Sequence, residues 1–137
     1  MASAVCNSFK TEVLGGTHDL DTNTINLALF TSAASLSAST TAYSTSNEVV
    51  GTGYTAGGNT LTGAVISLDG STAIVDFTDT SWTSATITAR YGLIYNFSQS
   101  NKAIAVLDFT TDQTSTNGTF TVVFPTANSS SAIIRLS

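Results

Sequence analysis

Apolar and polar residues alternate most clearly through the run from Thr72 to Phe109, and the remainder of the chain reads as material added on either side of it. Three apolar segments succeed one another there, separated by short polar breaks, which predicts a β-meander. In the middle segment Ile87, Ala89, Tyr91, Leu93 and Tyr95 share one face, and Thr86, Thr88, Arg90 and Gly92 share the other, with Ile94 as the apolar exception. A period of two is that of a strand, because successive side chains leave it on opposite sides. The preceding segment sets Ala73, Val75 and Phe77 against Ile74 and Asp76, and the following one sets Ala103, Ala105, Leu107 and Phe109 against Lys102, Ile104, Val106 and Asp108. Apolar groups on both faces predict central strands of a two-layer structure.

The flanking segments supply weaker signals. Met1 to Cys6 reads as a loose arm, followed by a short helix from a Ser8 cap to Leu14, with Phe9 and Val13 four apart on one side and Gly15-Gly16 as the stop. His18, Asp19, Asp21 and Asn23 form a polar turn into a strand over Thr24 to Phe30. Thr31 to Asn47 is almost wholly Ser, Thr and Ala, broken by Leu36 and Tyr43, and reads as an extended loop open to a partner. Glu48 to Tyr54 is expected to be an edge strand closed by Gly57-Gly58, and Leu61 to Leu68 a strand interrupted by Gly63, turning back through Asp69-Gly70 as a type I′ hairpin. Trp82, in a polar link from Thr78 to Ala85, is placed as a lid over one end of the core. Phe97 to Asn101 is a turn, Asp112 to Gly118 a polar loop, Thr119 to Phe124 a strand ended by Pro125, and Ala132 to Leu136 the last strand. About seven or eight strands joined by turns predict an all-β fold, an antiparallel β-sandwich or flattened barrel. One domain is expected over residues 1–137, with 1–16 as the arm and short helix and 24–137 as the β body.

Composition adds one sharp fact. Only 9% of residues are charged, against about 25% in an ordinary soluble domain, and Ser, Thr and Asn supply the missing polarity. Charge keeps monomers apart and blunts strand edges, so a β-rich chain this poor in it is expected to have its surface covered by partners or by copies of itself. The net charge of −5 and the wide spacing of Lys10, Arg90, Lys102 and Arg135 argue against nucleic acid as a partner. A single cysteine, Cys6, excludes an internal disulfide and a multi-cysteine zinc site. No apolar run approaches the roughly 20 residues that span a bilayer as a helix, and no basic region followed by an apolar core opens the sequence, so no membrane partner is expected and folding is expected in a reducing cytoplasm.

Candidate chemistry is sparse. Asp19-x-Asp21-x-Asn23 opens like a calcium loop, but Thr24 and Phe30 stand where glycine and glutamate are needed. Gly51-x-Gly53-x-x-Ala56 is followed by Gly57, Gly58 and Asn59 in place of a phosphate-binding helix. His18 is the one imidazole and lies in a predicted loop, not in the shielded setting of a general base. Asp76, Asp79, Asp108 and Asp112 fall at predicted strand ends, where acids are usually solvated or capping. No catalytic residue, metal ligand or cofactor site is therefore assigned, and the chain is expected not to be an enzyme. Arg90, mid-strand beside Thr88 and Gly92, needs solvent or an acid: Asp76 or Asp108 in the same chain, or an acid of a neighbouring subunit. Phe9, Val13, Leu36, Tyr43 and Arg90 are the candidate partner-contact residues.

Several phrases carry a resemblance. Ser8-Phe9-Lys10 to Leu14, Asn26-Leu27-Ala28-Leu29-Phe30-Thr31, Tyr43 with Asn47-Glu48-Val49, Gly51 to Gly58, and Trp82 to Asn96 together resemble small virion structural proteins of tailed bacteriophages, over most of the chain. The resemblance implies a capsid decoration or cement protein on the exterior of the head, a symmetric oligomer such as a homotrimer that binds the major capsid protein, with no catalytic residues. Tail, fibre or head-tail joining proteins are the alternative within that resemblance. A carbohydrate-binding β-sandwich, with Trp82, Tyr91 or Tyr95 as stacking platforms, is the alternative outside it.

Overall fold

The computed structural model of the chain describes residues 2–136. Its elements in order are β1 (Ala2–Val5), helix α1 (Asn7–Leu14), β2 (Ile25–Phe30), β3 (Asn59–Thr60), β4 (Val65–Asp69), β5 (Thr72–Asp76), β6 (Thr80–Asn96), a 3₁₀ turn (Phe97–Gln99), β7 (Lys102–Val122) and β8 (Ile134–Leu136). The strands form two antiparallel sheets, a larger one in the order β1-β7-β6-β2-β3 and a smaller one in the order β4-β5-β8. An all-β, sandwich-like architecture with one short N-terminal helix is thus the fold.

A long hairpin, β6 with β7, is the backbone of the larger sheet. Near its turn the hairpin is central and covered on both sides: Leu93, Ile94, Ile104, Ala105 and Leu107 are all buried. The face that includes Asn96 receives His18 from the segment after α1, and the face that includes Tyr95 receives Tyr43 from the long loop after β2. These two coverings explain the apolar residues on alternate positions of both faces, because a strand with no wet side needs no polar row. Gly92 is where the sheet's own side chains crowd in. A Cβ there would stand 3.0 Å from Leu27 Cδ1 and 3.4 Å from Leu107 Cδ1, so two leucines of the neighbouring strands occupy the space a side chain would need.

The structure departs from the sequence reading in several places, each with a physical reason. Thr72 to Phe109 is not one meander: β5 pairs with β4 and β8 in the smaller sheet, and only β6 and β7 are hairpin partners. The polar stretches Thr78 to Ala85 and Asp112 to Gly118 are mostly strand, in β6 and β7. Their polar side chains hold the ladder together, with Ser81 Oγ and Thr121 Oγ1 2.9 Å apart, Ser115 Oγ donating to the Ala85 carbonyl at 2.8 Å, and the Asn117 amide donating to Thr86 Oγ1 at 3.0 Å. Register shifts fall between Trp82 and Ala85, Ala85 and Ile87, Ala89 and Tyr91, and Ile94 and Tyr95, and extra residues of this kind bend a strand without ending it. Such irregularity erased the simple alternation from which a strand is read.

Glu48 to Tyr54 forms no strand, although the Val49 amide donates to the Leu29 carbonyl. Gly63 splits the stretch Leu61 to Leu68 into loop and β4, at a φ of 65° with Thr78 Oγ1 only 2.2 Å from where its Cβ would stand. The β4–β5 loop is Gly70-Ser71, not Asp69-Gly70, since Asp69 and Thr72 are paired. Positive φ at Gly70 without one at Ser71 is the type II′ pattern. Helix α1 begins at Asn7, a residue before the expected cap, with Cys6 in the cap position and no side-chain cap. The expected loose arm is instead held: Ala2–Val5 pairs with β7 from Asp108 to Ala105. Met1 lies outside the described residues.

Candidate functional site

Of the five candidate contact residues, the structure brings together only Phe9 and Val13, one turn apart on α1 and both lining a groove beside the smaller sheet. Phe9 is 5% exposed, its ring 4.9 Å from that of His18, so its main role is to seat the helix on the core. Leu36 lies elsewhere, in a hollow of about 260 Å³ with Ala4, Tyr91 and Val106. Tyr43 is turned inward onto Tyr95, ring centroids 4.5 Å apart and nearly parallel. Arg90 Nε meets Asp112 Oδ1 at 3.0 Å within the chain, in place of the expected Asp76 or Asp108, because the register sets Arg90 near the polar part of β7. Trp82 and Tyr95 are 4% and 2% exposed, which removes both as sugar-stacking platforms in the folded chain. Trp82 sits between Tyr54 and Phe120 as a core lid, as its sequence position suggested.

A buried carboxylate organises the loop that covers the Tyr95 face. Glu48 is 7% exposed and accepts three hydrogen bonds: from Tyr43 Oη at 2.7 Å to Oε1, and from Tyr54 Oη at 2.6 Å and the Gly57 amide at 2.8 Å to Oε2. Tyr54 Oη in turn accepts from the Leu29 amide at 2.9 Å, which ties the loop to β2. Tyr95 Oη donates to the Gly57 carbonyl at 2.7 Å, which ties it to β6. Burial is the main cause that pushes the Tyr54 and Tyr43 phenols well above their ordinary range, and hydrogen bonding to the Glu48 carboxylate adds to it. Tyr95 is raised too, mainly by burial. Each shift keeps a phenol in the protonated form that a donor requires, to the carboxylate for Tyr43 and Tyr54 and to the Gly57 carbonyl for Tyr95. Sequence reasoning missed this centre, whose only signal is an acid and three tyrosines scattered over Tyr43 to Tyr95.

His18 lies in a loop as expected, but its setting is shielded after all: its side chain is fully buried. Nε2 lies 3.0 Å from Glu12 Oε1, and Nδ1 lies 3.0 Å from Asn96 Nδ2. The Asp19 amide donates to Asn23 Oδ1, which also accepts from Asn96 Nδ2 at 2.9 Å. That chain of donors orients the Asn96 amide and makes His18 Nδ1 an acceptor, so the proton sits on Nε2 and is donated to Glu12. Both ring nitrogens are thus occupied and neither faces a nucleophile. Glu12 Oε2 also lies 3.5 Å from Lys102 Nζ, so the cluster pins α1 to the start of β7. Cys6 is buried nearby, and burial first, then the Glu12 charge, pushes its thiol up to about 11, leaving it the unreactive protonated form at neutral pH.

The strand-end acids do not converge. Asp79 Oδ1 accepts from the Phe124 amide, Asp108 Oδ1 from the Thr110 amide, and Asp112 pairs with Arg90. Among the described residues no group of three or more His, Cys, Asp or Glu side chains is placed to hold a metal ion.

What remains is exposed apolar surface on the smaller sheet. All of β4 is exposed, including Val65 at 58% and Leu68 at 70%, and among the described strands β4 pairs only with β5, leaving its other edge open. Leu136 on β8 is 54% exposed. Leu14 at the end of α1 and Val50 in the loop are more exposed still. No family model matches the chain, and neither a curated protein nor a solved structure is significantly similar to it.

Proposed function

We propose that the chain is a non-enzymatic structural component of a tailed-phage virion, in the manner of a capsid decoration or cement protein, which binds the head exterior and joins neighbouring major capsid subunits. The observation that carries the reading is the open β4 edge with Val65 and Leu68 exposed, in a chain only 9% charged. A largely apolar edge strand, here with Asp69 as its one charge, pairs readily with another chain, and proteins that stay monomeric normally guard against it. The engaged Glu48 and His18 clusters suit this reading as well, since their polar groups are taken up in bracing loops against sheets. A cyclic trimer, with the β4 edge of one copy against a different patch of the next, matches the threefold positions of an icosahedral shell. Retention then comes from many modest contacts acting together.

The test is direct. Purified chain is sized by light scattering and mixed with particles stripped of it, which are then washed at high salt and imaged. A trimer that returns to the head exterior and survives the wash supports the proposal. Density confined to the tail or neck assigns the protein to the tail, fibre or joining alternative, and a monomer that ignores the particle defeats both.

A further inference from the structure

The groove between α1 and the smaller sheet is lined mainly by apolar side chains, and it adjoins a hollow of about 660 Å³ that shares Val5, Lys10 and Arg135 with it. The groove's own volume is about 600 Å³, and Val5, Phe9 and Val13 form one wall while Val75, Ile134 and Leu136 form the other. That volume is in the range of roughly 300–1,000 Å³ typical of ligand clefts. Lys10 and Arg135, two of the four Lys and Arg residues in an acidic chain, also line it. Neither is in an ion pair among the described residues, whereas Arg90 and Lys102 both are. Arg135 Nη1 donates to the Ser130 carbonyl at 2.6 Å, so its charge is held in place by neutral partners. One carboxylate, Asp19, lines the groove too, and the two cations outnumber it. Beside the groove β8 pairs with β5 on one side only.

We infer that this groove binds an extended acidic segment of a partner polypeptide, one that alternates apolar side chains with carboxylates. Alternation suits the site because a strand laid along β8 sends every second side chain to one face: apolar groups enter between α1 and β5, carboxylates on the other face reach Arg135, and Lys10 adds positive charge at the rim. The free N–H and C=O groups of β8 then bond to the segment's backbone, an attraction that a fatty acid or other small amphiphile lacks. Charge complementarity favours this occupant over a second copy of the chain, whose β4 edge offers Val65 and Leu68 with only Asp69 at its end. The inference does not depend on the virion reading, since it concerns the groove alone.

The probe is an acetylated, fluorescein-labelled peptide of roughly eight residues alternating valine and aspartate, with a valine–lysine peptide as control, measured by anisotropy on the full chain. Saturable binding of the acidic peptide alone is expected. Removing both rim charges with Lys10→Ala and Arg135→Ala should weaken it about fivefold, as for two exposed ion pairs. Val13→Asp, on a half-buried position of the helix surface, should weaken it more than tenfold while thermal melting shows the variant folded. A second variant, Arg135→Glu, keeps the test valid should Val13→Asp fail to fold, and it should abolish preference for the acidic peptide. Equal binding of both peptides, or affinity unchanged in the charge variants, overturns the inference. Displacement of the peptide by decanoate at lower concentration assigns the groove to a small amphiphile and likewise overturns it, as does self-association that is lost with Val13→Asp.

Discussion

Removing the Glu48 carboxylate should unfasten the loop that covers one face of the larger sheet. Glu48→Ala strands the Gly57 amide and the Tyr54 hydroxyl as donors, while the half-buried Tyr43 hydroxyl can turn to water. A buried donor without a partner costs about 1–3 kcal/mol, so two give a loss of about 4 kcal/mol. Glu48→Gln should cost only about 1–2 kcal/mol. Its amide oxygen can still face Gly57 and Tyr54, with the amino group turned to Tyr43, whose hydroxyl then accepts. Equilibrium urea unfolding reports this through Trp82, the only tryptophan, whose ring centroid is 5.9 Å from that of Tyr54. With a slope of about 2 kcal/mol per molar urea, Glu48→Ala lowers the midpoint by about 2 M with the slope unchanged. In the Glu48→Ala background Tyr54→Phe should cost at least about 1 kcal/mol less than it does alone, because the stranded hydroxyl is then gone. An alanine variant within about 1 kcal/mol of the parent, or alanine and glutamine variants of equal stability, would refute the view that Glu48 holds the loop.

Three further outcomes follow from named contacts. Cys6, Tyr43, Tyr54 and Tyr95 all have folded-state values raised above their ordinary ones of 9.0 for the thiol and 10.0 for the phenols. The native state therefore keeps protons that the unfolded chain has released, and stability should be level up to pH about 9 and fall from there upward; urea midpoints between pH 8 and 11 check this, and a rise with pH contradicts it. Gly58→Ala places a Cβ 1.8 Å from the Leu27 carbonyl oxygen at a φ of 77°, so the β2 contact must part and a loss above about 3 kcal/mol is expected in the same unfolding assay. Arg90→Ala removes a half-exposed ion pair with Asp112 and should cost less than about 1 kcal/mol, whereas a loss several times larger would mean that the guanidinium has a further partner.

Period-two patterning made β2 and the turn-proximal halves of β6 and β7 legible, because their positions enter packed layers on both faces and their one register shift, between Ile94 and Tyr95, falls among apolar residues. The outer halves of the hairpin were illegible for the opposite reason. Their ladder is carried by Ser, Thr and Asn hydroxyls and amides and interrupted by register shifts, so their composition is that of a loop. Which sheet β5 joins is set by contacts with residues about 60 positions later, Ile134 to Leu136, and local pattern has no access to them. Among the candidate contacts, Phe9 and Val13 were found through helical spacing and do reach the groove. Tyr43 was misread as a contact offered to a partner, because the acid that takes its hydroxyl and the ring it stacks on lie in separate segments. The burial of His18 was illegible for a similar reason: its partners Glu12 and Asn96 come from a helix and a distant strand.

Whether other chains cover the open β4 edge, as proposed, is read most directly from the mass of the purified protein in solution, with and without Val65→Lys. A discrete oligomer is expected for the parent chain and a monomer of unchanged thermal stability for the variant, because Val65 is exposed in the isolated chain and would be covered in the proposed assembly. A parent chain that stays monomeric up to millimolar concentration, or an oligomer indifferent to the substitution, would contradict it.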